Sequence, residues 1–580
     1  MGKIMNTATM SNDPIAVAVM GSGGAGAITT GNLLLEAAGL IGWYGLMTRS
    51  VGPQIRGGEA LAMVRLASEP VLGHGDRFDV LLALDWHNAD RFLDEVPLDG
   101  DSLLVADAEA GDPPAAILAS GARLATLPLT DLADEIAGGR PNIVALGLLA
   151  RLLRLPLESM AALVGRVLEG KGADTAGLRQ MLIAGHEAAA GLDGVVRPPP
   201  LPAAERSRWA LTGNEAAALG ALRGGVRFAA VYPITPATDL SEWLAPRLQR
   251  LGGHLVQAED EIAALNMVLG AAYGGVPALT ATSGPGLALM TETLGLAVAA
   301  EIPTVVINVM RGGPSTGIPT KSEQSDLNIA LYGLHGDAPH LVLAPSSVAD
   351  CLTVTQWAVR LTEALQCPAI VLSDQFLGQS RAVCDPPPAA EDRPSARRTA
   401  TQFNGRYDRY AVTADGVSPM ALPGTPGGQY TADGLEHNAR GAPSSRAADH
   451  RAQLNKRNDK LLAYDYGPAW AEVDGEGEVA VLTWGSSAAP VWEGVTRARA
   501  QGLAVRVVVL KLLSPAQPAR LARALEGARR VLVVEQSHSQ QFLSYLRAHY
   551  ALPADVRALH QPGPLAIRPA AVLAQLLQWR

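Results

Sequence analysis

The sequence predicts a multidomain α/β protein. Three stretches alternate short apolar runs with helix-length segments, two polar breaks rich in proline divide them, and 580 residues with 48% apolar content suffice for several large cores.

The first stretch covers residues 13–195. It opens with the apolar run IAVAVM, a glycine-rich turn and the helix-like ITTGNLLLEAAGLI. A later strand, VLLAL at 80–84, precedes Asp85 and Trp86, and the stretch closes in helices rich in Leu and Ala. The break VVRPPPLPAAERSR reads as a stiff extended linker. The second stretch covers 209–385 and holds the strands FAAVYP, HLVQA, ALTAT, TVVINVM, LVLAP and AIVLSD, separated by long apolar helices. That alternation predicts a mainly parallel sheet covered by helices. The helix after Glu261, EIAALNMVLGAAYGG, is apolar nearly all round and predicts a buried helix. Periodicity is lost over 386–470, a connecting or interface-forming segment. The third stretch, 471–580, alternates again: EVAVLTW, a helix at 487–501, AVRVVVL, a helix at 516–527, and RVLVVEQ.

Composition narrows the function. A charged content of only 18% predicts surface buried between domains or against a partner chain, and a net charge of −9 argues against nucleic acid or an anionic membrane as the main partner. Cys351, Cys367 and Cys384 show no Cys-x-x-Cys spacing, so neither an iron–sulfur cluster nor structural zinc is expected on this chain. Sparse cysteine fits a reducing cytoplasm. The first apolar run, Ile15–Met20, follows no basic start and ends in glycines, so neither a signal peptide nor a membrane span is expected.

Several motifs could carry chemistry. Gly21-Ser22-Gly23-Gly24-Ala25-Gly26 fits G-x-G-x-x-G between a strand and a helix, where backbone N–H groups at a helix N-terminus bind phosphate. A dinucleotide site also wants an acid at the end of the second strand. The second strand read from the sequence, WYGLMT, is followed instead by Arg49 and Arg56, so a phosphate-rich ligand is preferred over NAD. The alternative is a turn whose glycines serve only close helix packing.

In Tyr232-Pro233-Ile234-Thr235-Pro236, Pro233 fixes its own φ and Pro236 moves Thr235 out of the helical region. The hydroxyl is thereby preset at the C-terminal end of a strand, where ligands bind in open α/β sheets. A rigid helix-capping turn is the alternative. Glu259, Asp260 and Glu261 open the apolar helix. Acids complement a helix dipole there, but an acid flush against an apolar helix also suits proton exchange with a ring nitrogen, because burial favours the neutral carboxyl. ATSGPG presents Ser283 in a strand-to-helix turn, and MRGGPSTG places Arg311, with Ser315 and Thr316, after another strand. Arg311 suits carboxylate recognition, with a structural ion pair as the alternative. His335 and Asp337 read as a structural turn.

Taken together, YPITP, the E-x-E at 259–261, TATSGPG, RGGPSTGIPT and YGLHGDAPH resemble the alpha subunit of 2-oxoacid:ferredoxin oxidoreductases. GSGGAG and SVGPQIRGGEA are similar to that family's gamma domain, and DGVSPMALPGTPGG and LNKRNDKL are also family-like. The order gamma then alpha resembles the fused large subunit of the 2-oxoglutarate members. The resemblance implies a gamma-type domain, a pyrimidine-binding domain of thiamine enzymes and a transketolase C-terminal-like domain. It implies thiamine diphosphate, coenzyme A and a ferredoxin, with 2-oxoglutarate as substrate and pyruvate or a branched-chain oxoacid as alternatives. Thr235 and Arg311 would bind the oxoacid. Pro233 and Ile234 would line the cofactor, and Glu261, counting back from Gly270-Ala271, would contact its aminopyrimidine and promote the imino tautomer. Gly21, Ser22, Gly23, Gly24 and Arg56 would contribute to coenzyme A binding. No Gly-Asp-Gly followed by Asn and no cluster cysteines occur. Magnesium and a [4Fe-4S] cluster are therefore expected on a separate beta subunit, in an (αβ)2 assembly. The rivals are a Rossmann dehydrogenase over 13–110 and a non-catalytic structural subunit.

Overall fold

The computed structural model describes residues 14–52, 58–168, 174–200, 207–389, 396–403 and 405–580. They fall into two compact units, the first drawn from Met1–Thr212, Ser380–Pro388 and Arg568–Ala571, the second from Gly213–Gln379, Ala389–Ile567 and Val572–Arg580. The fold is multidomain α/β, as the alternation of strands and helices predicts.

The first unit holds an eight-stranded sheet in the order Arg123–Leu127, Leu103–Asp107, Val80–Ala83, Ile15–Ser22, Glu59–Ala67, Tyr44–Val51, Arg381–Cys384, Trp209–Thr212. The stretch read from sequence as 209–385 thus contributes both its ends to this sheet. The helix Ala27–Leu40 and the Leu- and Ala-rich helices Pro141–Leu152, Leu157–Leu168 and Thr175–Ala188 share one core with the sheet.

One sequence inference is corrected here. Tyr44–Val51 is not a parallel neighbour of the first strand; it pairs antiparallel with Glu59–Ala67, which pairs antiparallel with Ile15–Ser22. The connection 52–58 is far too short for the dozen or more residues a parallel crossover needs. The parallel neighbour is Val80–Ala83, and the acid beyond its end is Asp85.

In the second unit all six strands read from the second stretch are present. With Leu512–Ser514 they form a seven-stranded sheet: Leu512–Ser514, Leu341–Leu343, Pro368–Asp374, Thr304–Met310, Ala278–Thr282, Phe228–Val231, His254–Gln257. Every pair is parallel except the edge strand Leu512–Ser514. The chain runs from Phe228–Val231 to its outer neighbour His254–Gln257, then crosses back to Ala278–Thr282. The order therefore reverses between Phe228–Val231 and Ala278–Thr282, and the crevice outside their carboxyl ends is a ligand position. A third, five-stranded sheet runs Ala471–Asp474, Val505–Leu510, Val479–Trp484, Arg530–Glu535, Asp555–His560.

Two further expectations are corrected. The helix Glu261–Tyr273 buries Ala264, Leu265, Val268 and Leu269, but Ile262 is 47% and Met267 42% exposed. Apolarity all round does not require this chain to cover every face. Within 386–470 lies a helix, Ala447–Leu462, that hydrophobic periodicity did not reveal. Its buried residues are mostly polar: Gln453, Lys456, Arg457 and Lys460, beside Leu461.

Those buried charges hold the irregular segment in place. Lys456 and Lys460 both pair with Glu301, the latter at 2.8 Å. Burial alone would raise the Glu301 carboxyl; Lys460, Lys456 and Arg409 outweigh it and hold the group well below the ordinary carboxylate range. These cations and Arg397, which is paired with Glu363, also meet helix C-terminal carbonyls. Arg409 donates to Glu301 O at 2.9 Å, Lys460 to Gln366 O at 2.9 Å, and Arg397 to Ala272 O at 2.5 Å. The negative end of each helix dipole thus supplies countercharge.

Candidate active site

The proline-bounded turn follows Phe228–Val231. Pro233 and Thr235 are exposed and Ile234 is half-buried, while Pro236 is buried and its carbonyl accepts from Asn214 Nδ2 at 2.8 Å. The Thr235–Pro236 peptide is cis. Arg311, one residue beyond Thr304–Met310, reaches this turn. Its Nη1 donates to Thr235 O at 2.5 Å and its Nη2 to Thr316 O at 2.7 Å. Arg311 is only 7% exposed, and its Nε is buried without a partner. The structure therefore brings Arg311 and Thr235 together through the backbone of the turn.

Glu261 is the first residue of its helix, with Asp260 as N-cap accepting from Ala263 N at 2.7 Å. Asp260 therefore serves the helix end, leaving Glu261 for another purpose. Glu261 is 6% exposed, whereas Glu259 is exposed. Among the described residues none donates a hydrogen bond to the Glu261 carboxylate. The carboxylate lies against the turn after Ala278–Thr282: a Cβ built on Gly286 would stand 2.6 Å from Glu261 Oε1 and 2.1 Å from Thr282 Oγ1. Ser283, at the head of that turn, has a fully buried hydroxyl without a partner. A buried carboxylate without a donor is open to a hydrogen-bonding group of a bound molecule.

Two residues that motif reading did not single out complete this edge. Asn308, register partner of Thr282, donates from Nδ2 to an Asp326 carboxylate oxygen at 2.9 Å, and its Oδ1 is buried without a partner. Burial raises the Asp326 carboxyl above its ordinary value, against the pull of Asn308 and Arg311. The available signal was positional, since Asn308 lies in a wholly apolar strand run. Ser315 and Thr316 are exposed at the tip of the loop after Arg311. His335 and Asp337 are exposed in a turn.

The glycine loop lies in the first unit. Gly21 ends buried, Ser22 is half-buried, and Gly23 and Gly24 are exposed. Ser22 N donates to Asp85 Oδ2 at 2.8 Å, and His87 N to Asp85 Oδ1 at 3.0 Å, so a carboxylate already holds one of the loop's N–H groups. Gly26 is left-handed at φ 88°, and a Cβ there would stand 2.7 Å from Asn142, so this glycine serves turn and packing together. Arg49 is exposed on its strand; Arg56 lies outside the described residues.

Among the described residues no group of three or more His, Cys, Asp or Glu side chains is placed to hold a metal ion. Burial pushes the Cys367 thiol up to about 12 and Cys384 to about 11. No described helix is long and apolar enough to cross a membrane.

A hydroxyl, a buried carboxylate and a guanidinium thus lie at the strand ends of a parallel α/β sheet, the class of fold that binds ligands at its switch point. Comparison with known proteins narrows that class. Residues 219–456 match the thiamine diphosphate-binding model of pyruvate flavodoxin/ferredoxin oxidoreductases, and residues 16–182 match the pyruvate ferredoxin/flavodoxin oxidoreductase model. The chain is 36% identical to the 2-oxoglutarate synthase subunit KorA of Methanothermobacter marburgensis, over 63% of this chain and 98% of that one. It is 32% identical to the 2-oxoglutarate oxidoreductase subunit KorA of Mycobacterium tuberculosis, over 92% of this chain and 87% of that one. A solved 2-oxoglutarate:ferredoxin oxidoreductase of Magnetococcus marinus, with 2-oxoglutarate, coenzyme A and succinyl-CoA bound, superposes with a TM-score of 0.91 at 35% identity, covering 98% of this chain and all of that one. The chain belongs to the 2-oxoacid:ferredoxin oxidoreductase family.

Proposed function

We propose that this chain is the large subunit of a 2-oxoglutarate:ferredoxin oxidoreductase. The reaction joins 2-oxoglutarate and coenzyme A to give succinyl-CoA, carbon dioxide, a proton and two electrons, the electrons passing to ferredoxin. The observation that supports this reading is Arg311 on the Thr235 turn, with Glu261 buried against the turn after the neighbouring strand, in a chain similar throughout to one solved with those ligands.

Thiamine diphosphate, when bound, supplies the nucleophilic carbon and the electron sink for decarboxylation. Glu261, held against Gly286 and Thr282, would exchange a proton with the aminopyrimidine nitrogen. Pro233 and Ile234 line the ring. Thr235 offers its hydroxyl to the oxoacid. Arg311 holds the Thr235 carbonyl and brings a buried positive charge to the oxoacid carboxylate. In the first unit Gly21, Ser22, Gly23, Gly24 and Arg56 contribute to coenzyme A binding, with Asp85 fixing the Ser22 end of the loop. The domain reading that accompanies this is a gamma-type domain at 13–195, a pyrimidine-binding domain at 209–385, a connecting segment at 386–470 and a transketolase C-terminal-like domain at 471–580.

The rest of the site belongs to a partner. A beta subunit carries the magnesium–diphosphate site and the [4Fe-4S] cluster, in a cytoplasmic (αβ)2 complex. Ile262 and Met267, with Leu289 at 50% exposure on the neighbouring helix, form the apolar surface that this subunit covers. The test is co-purification with the partner and comparison of oxoacids in coenzyme A-dependent dye reduction. We expect 2-oxoglutarate to give the highest kcat/KM and the chain alone to hold no stoichiometric iron and show no activity. Preference for pyruvate or a branched-chain oxoacid overturns the substrate; iron and oxoacid oxidation in the chain alone overturn the division of labour.

A further inference from the structure

The third sheet has its own switch point. From Val479–Trp484 the chain goes to Val505–Leu510 on one side, then crosses to Arg530–Glu535 on the other. In an open α/β sheet the crevice beyond the carboxyl ends of Val479–Trp484 and Arg530–Glu535 is the ligand position. Here that crevice is filled from within the chain, by Gln324. Its Nε2 donates to Trp484 O at 2.9 Å, and its Oε1 accepts from Ser487 Oγ at 2.7 Å and Gln536 N at 2.8 Å. Its backbone N donates to Gln536 O at 2.8 Å. Trp484 and Gln536 stand at the ends of the two strands that flank the reversal. Gln324 is 1% exposed, and a Cβ on Gly485 would stand 2.5 Å from its Nε2, so the socket is closed around the amide.

Gln324 ends the loop that begins at Arg311. The same loop carries Ser315 and Thr316, and it folds on itself through Ile318 N to Gly312 O at 2.7 Å and Gly312 N to Lys321 O at 3.0 Å. Its base is also gripped by Gln536 Nε2, which donates to Ser322 O at 3.3 Å, and by Gln541 Nε2, which donates to Ser325 O at 2.8 Å. We propose that Gln324 is a positioning residue for the oxoacid site: the third sheet uses its ligand crevice as a socket for this amide and thereby fixes the loop that holds Arg311 and, through Arg311, the carbonyl of Thr235. The link to the oxoacid rests on the proposed function; the clasp itself does not.

The test uses the full chain in complex with its partner. Gln324→Met keeps the side chain's length and removes every side-chain hydrogen bond. Each unpartnered buried group left in the socket is costly, so amide hydrogen exchange over 312–323 should rise roughly ten- to a hundredfold. The KM for the oxoacid should rise at least about fivefold while kcat and the KM for coenzyme A stay within about twofold of wild type, the split expected when positioning of a bound group is lost. Gln324→Glu, which can still accept from Ser487 and Gln536, should lie between Met and wild type in both measurements. If Gln324→Met does not fold, Ser487→Ala removes one bond from outside the loop and should give about a fivefold rise in loop exchange. Unchanged exchange over 312–323 overturns the clasp. Faster exchange with an unchanged oxoacid KM overturns its link to the site. A wild-type complex that oxidises no oxoacid refutes the proposed function, and loop exchange still decides the clasp.

Discussion

Replacing Glu261 by Gln separates proton transfer from packing. The carboxylate sits at the first helical position, nine-tenths buried, with no donor from the described residues and the Gly286 turn directly against it. Gln is nearly isosteric, so it fits the same space, and Asp260 still caps the helix through Ala263 N. The stability change should therefore stay below about 1 kcal/mol, in the range of volume-conserving substitutions. The amide can hydrogen bond to a ring nitrogen but cannot change protonation state, and a general acid–base contribution is worth about 10²–10⁴-fold, so kcat should fall by that factor. Deuterium exchange at the C2 carbon of bound thiamine diphosphate, followed in the assembled complex, isolates this step from electron transfer. Gly286→Ala provides a second perturbation that leaves the carboxylate in place chemically. Its methyl would arrive 2.6 Å from Oε1 and 2.1 Å from Thr282 Oγ1, so the carboxylate must move. Both variants should slow C2 exchange. Wild-type exchange in Glu261→Gln would refute the assignment and direct attention to Glu259.

Thr235→Val keeps the β-branched shape and deletes the hydroxyl; loss of a hydrogen bond to a charged carboxylate is worth about 1.5–3 kcal/mol, or roughly 10- to 150-fold in kcat/KM, and unchanged kcat/KM would make the turn purely structural. Glu301→Gln leaves Lys456 and Lys460 buried without their carboxylate and should cost about 3–5 kcal/mol of stability, read as a lowered Tm; an unshifted Tm would mean that the helix carbonyls alone hold the cations. The pH dependence has two limbs. The Glu301 carboxyl is lower in the folded chain than in the unfolded one, so its contribution is present above the ordinary carboxylate value of 4.5 and is lost as pH falls below it. Burial pulls Lys456 down to about 8, so the cost of holding its charge is present below that pH and is relieved as pH rises from about 8 toward 10.5. Urea midpoints across pH should show the acid limb reduced in Glu301→Gln and the alkaline limb absent in Lys456→Met.

Much of this architecture was legible because strands and helices announce themselves by apolar periodicity. The six strands of the second sheet and the three strands read from the third stretch lie where their apolar runs predict. The positions of Thr235, Glu261 and Arg311 were legible for a related reason: each directly follows, or opens a helix after, an apolar run. Periodicity fails where burial is polar. Ala447–Leu462 packs through Gln453, Lys456, Arg457 and Lys460, which resemble a solvated face in sequence, because their partners are carbonyls and the carboxylates of Glu301 and Glu436 contributed by other segments. The antiparallel course of Tyr44–Val51 was readable in principle from the short connection to Glu59, but pairing direction leaves no mark on the strand's own residues.

Two switch points occur in the second unit, and the chain fills one of them with its own side chain. At the third sheet the Gln324 amide finds a carbonyl, a hydroxyl and a backbone N–H, all from the strand ends that would otherwise greet a ligand. At the seven-stranded sheet the chain leaves the Glu261 carboxylate without a described donor, and the Ser283 hydroxyl, Asn308 Oδ1 and Arg311 Nε buried without partners. An unpartnered buried polar atom costs roughly 1–3 kcal/mol, a cost that hydrogen bonds to a bound molecule would reduce. The same topology thus appears once filled by the chain's own amide, with Trp484 Nε1 and Ser486 Oγ beside it buried without partners, and once with a carboxylate, a hydroxyl and a guanidinium along it. Gln324 joins the two, since the residue that fills one crevice lies at the base of the loop that carries Arg311.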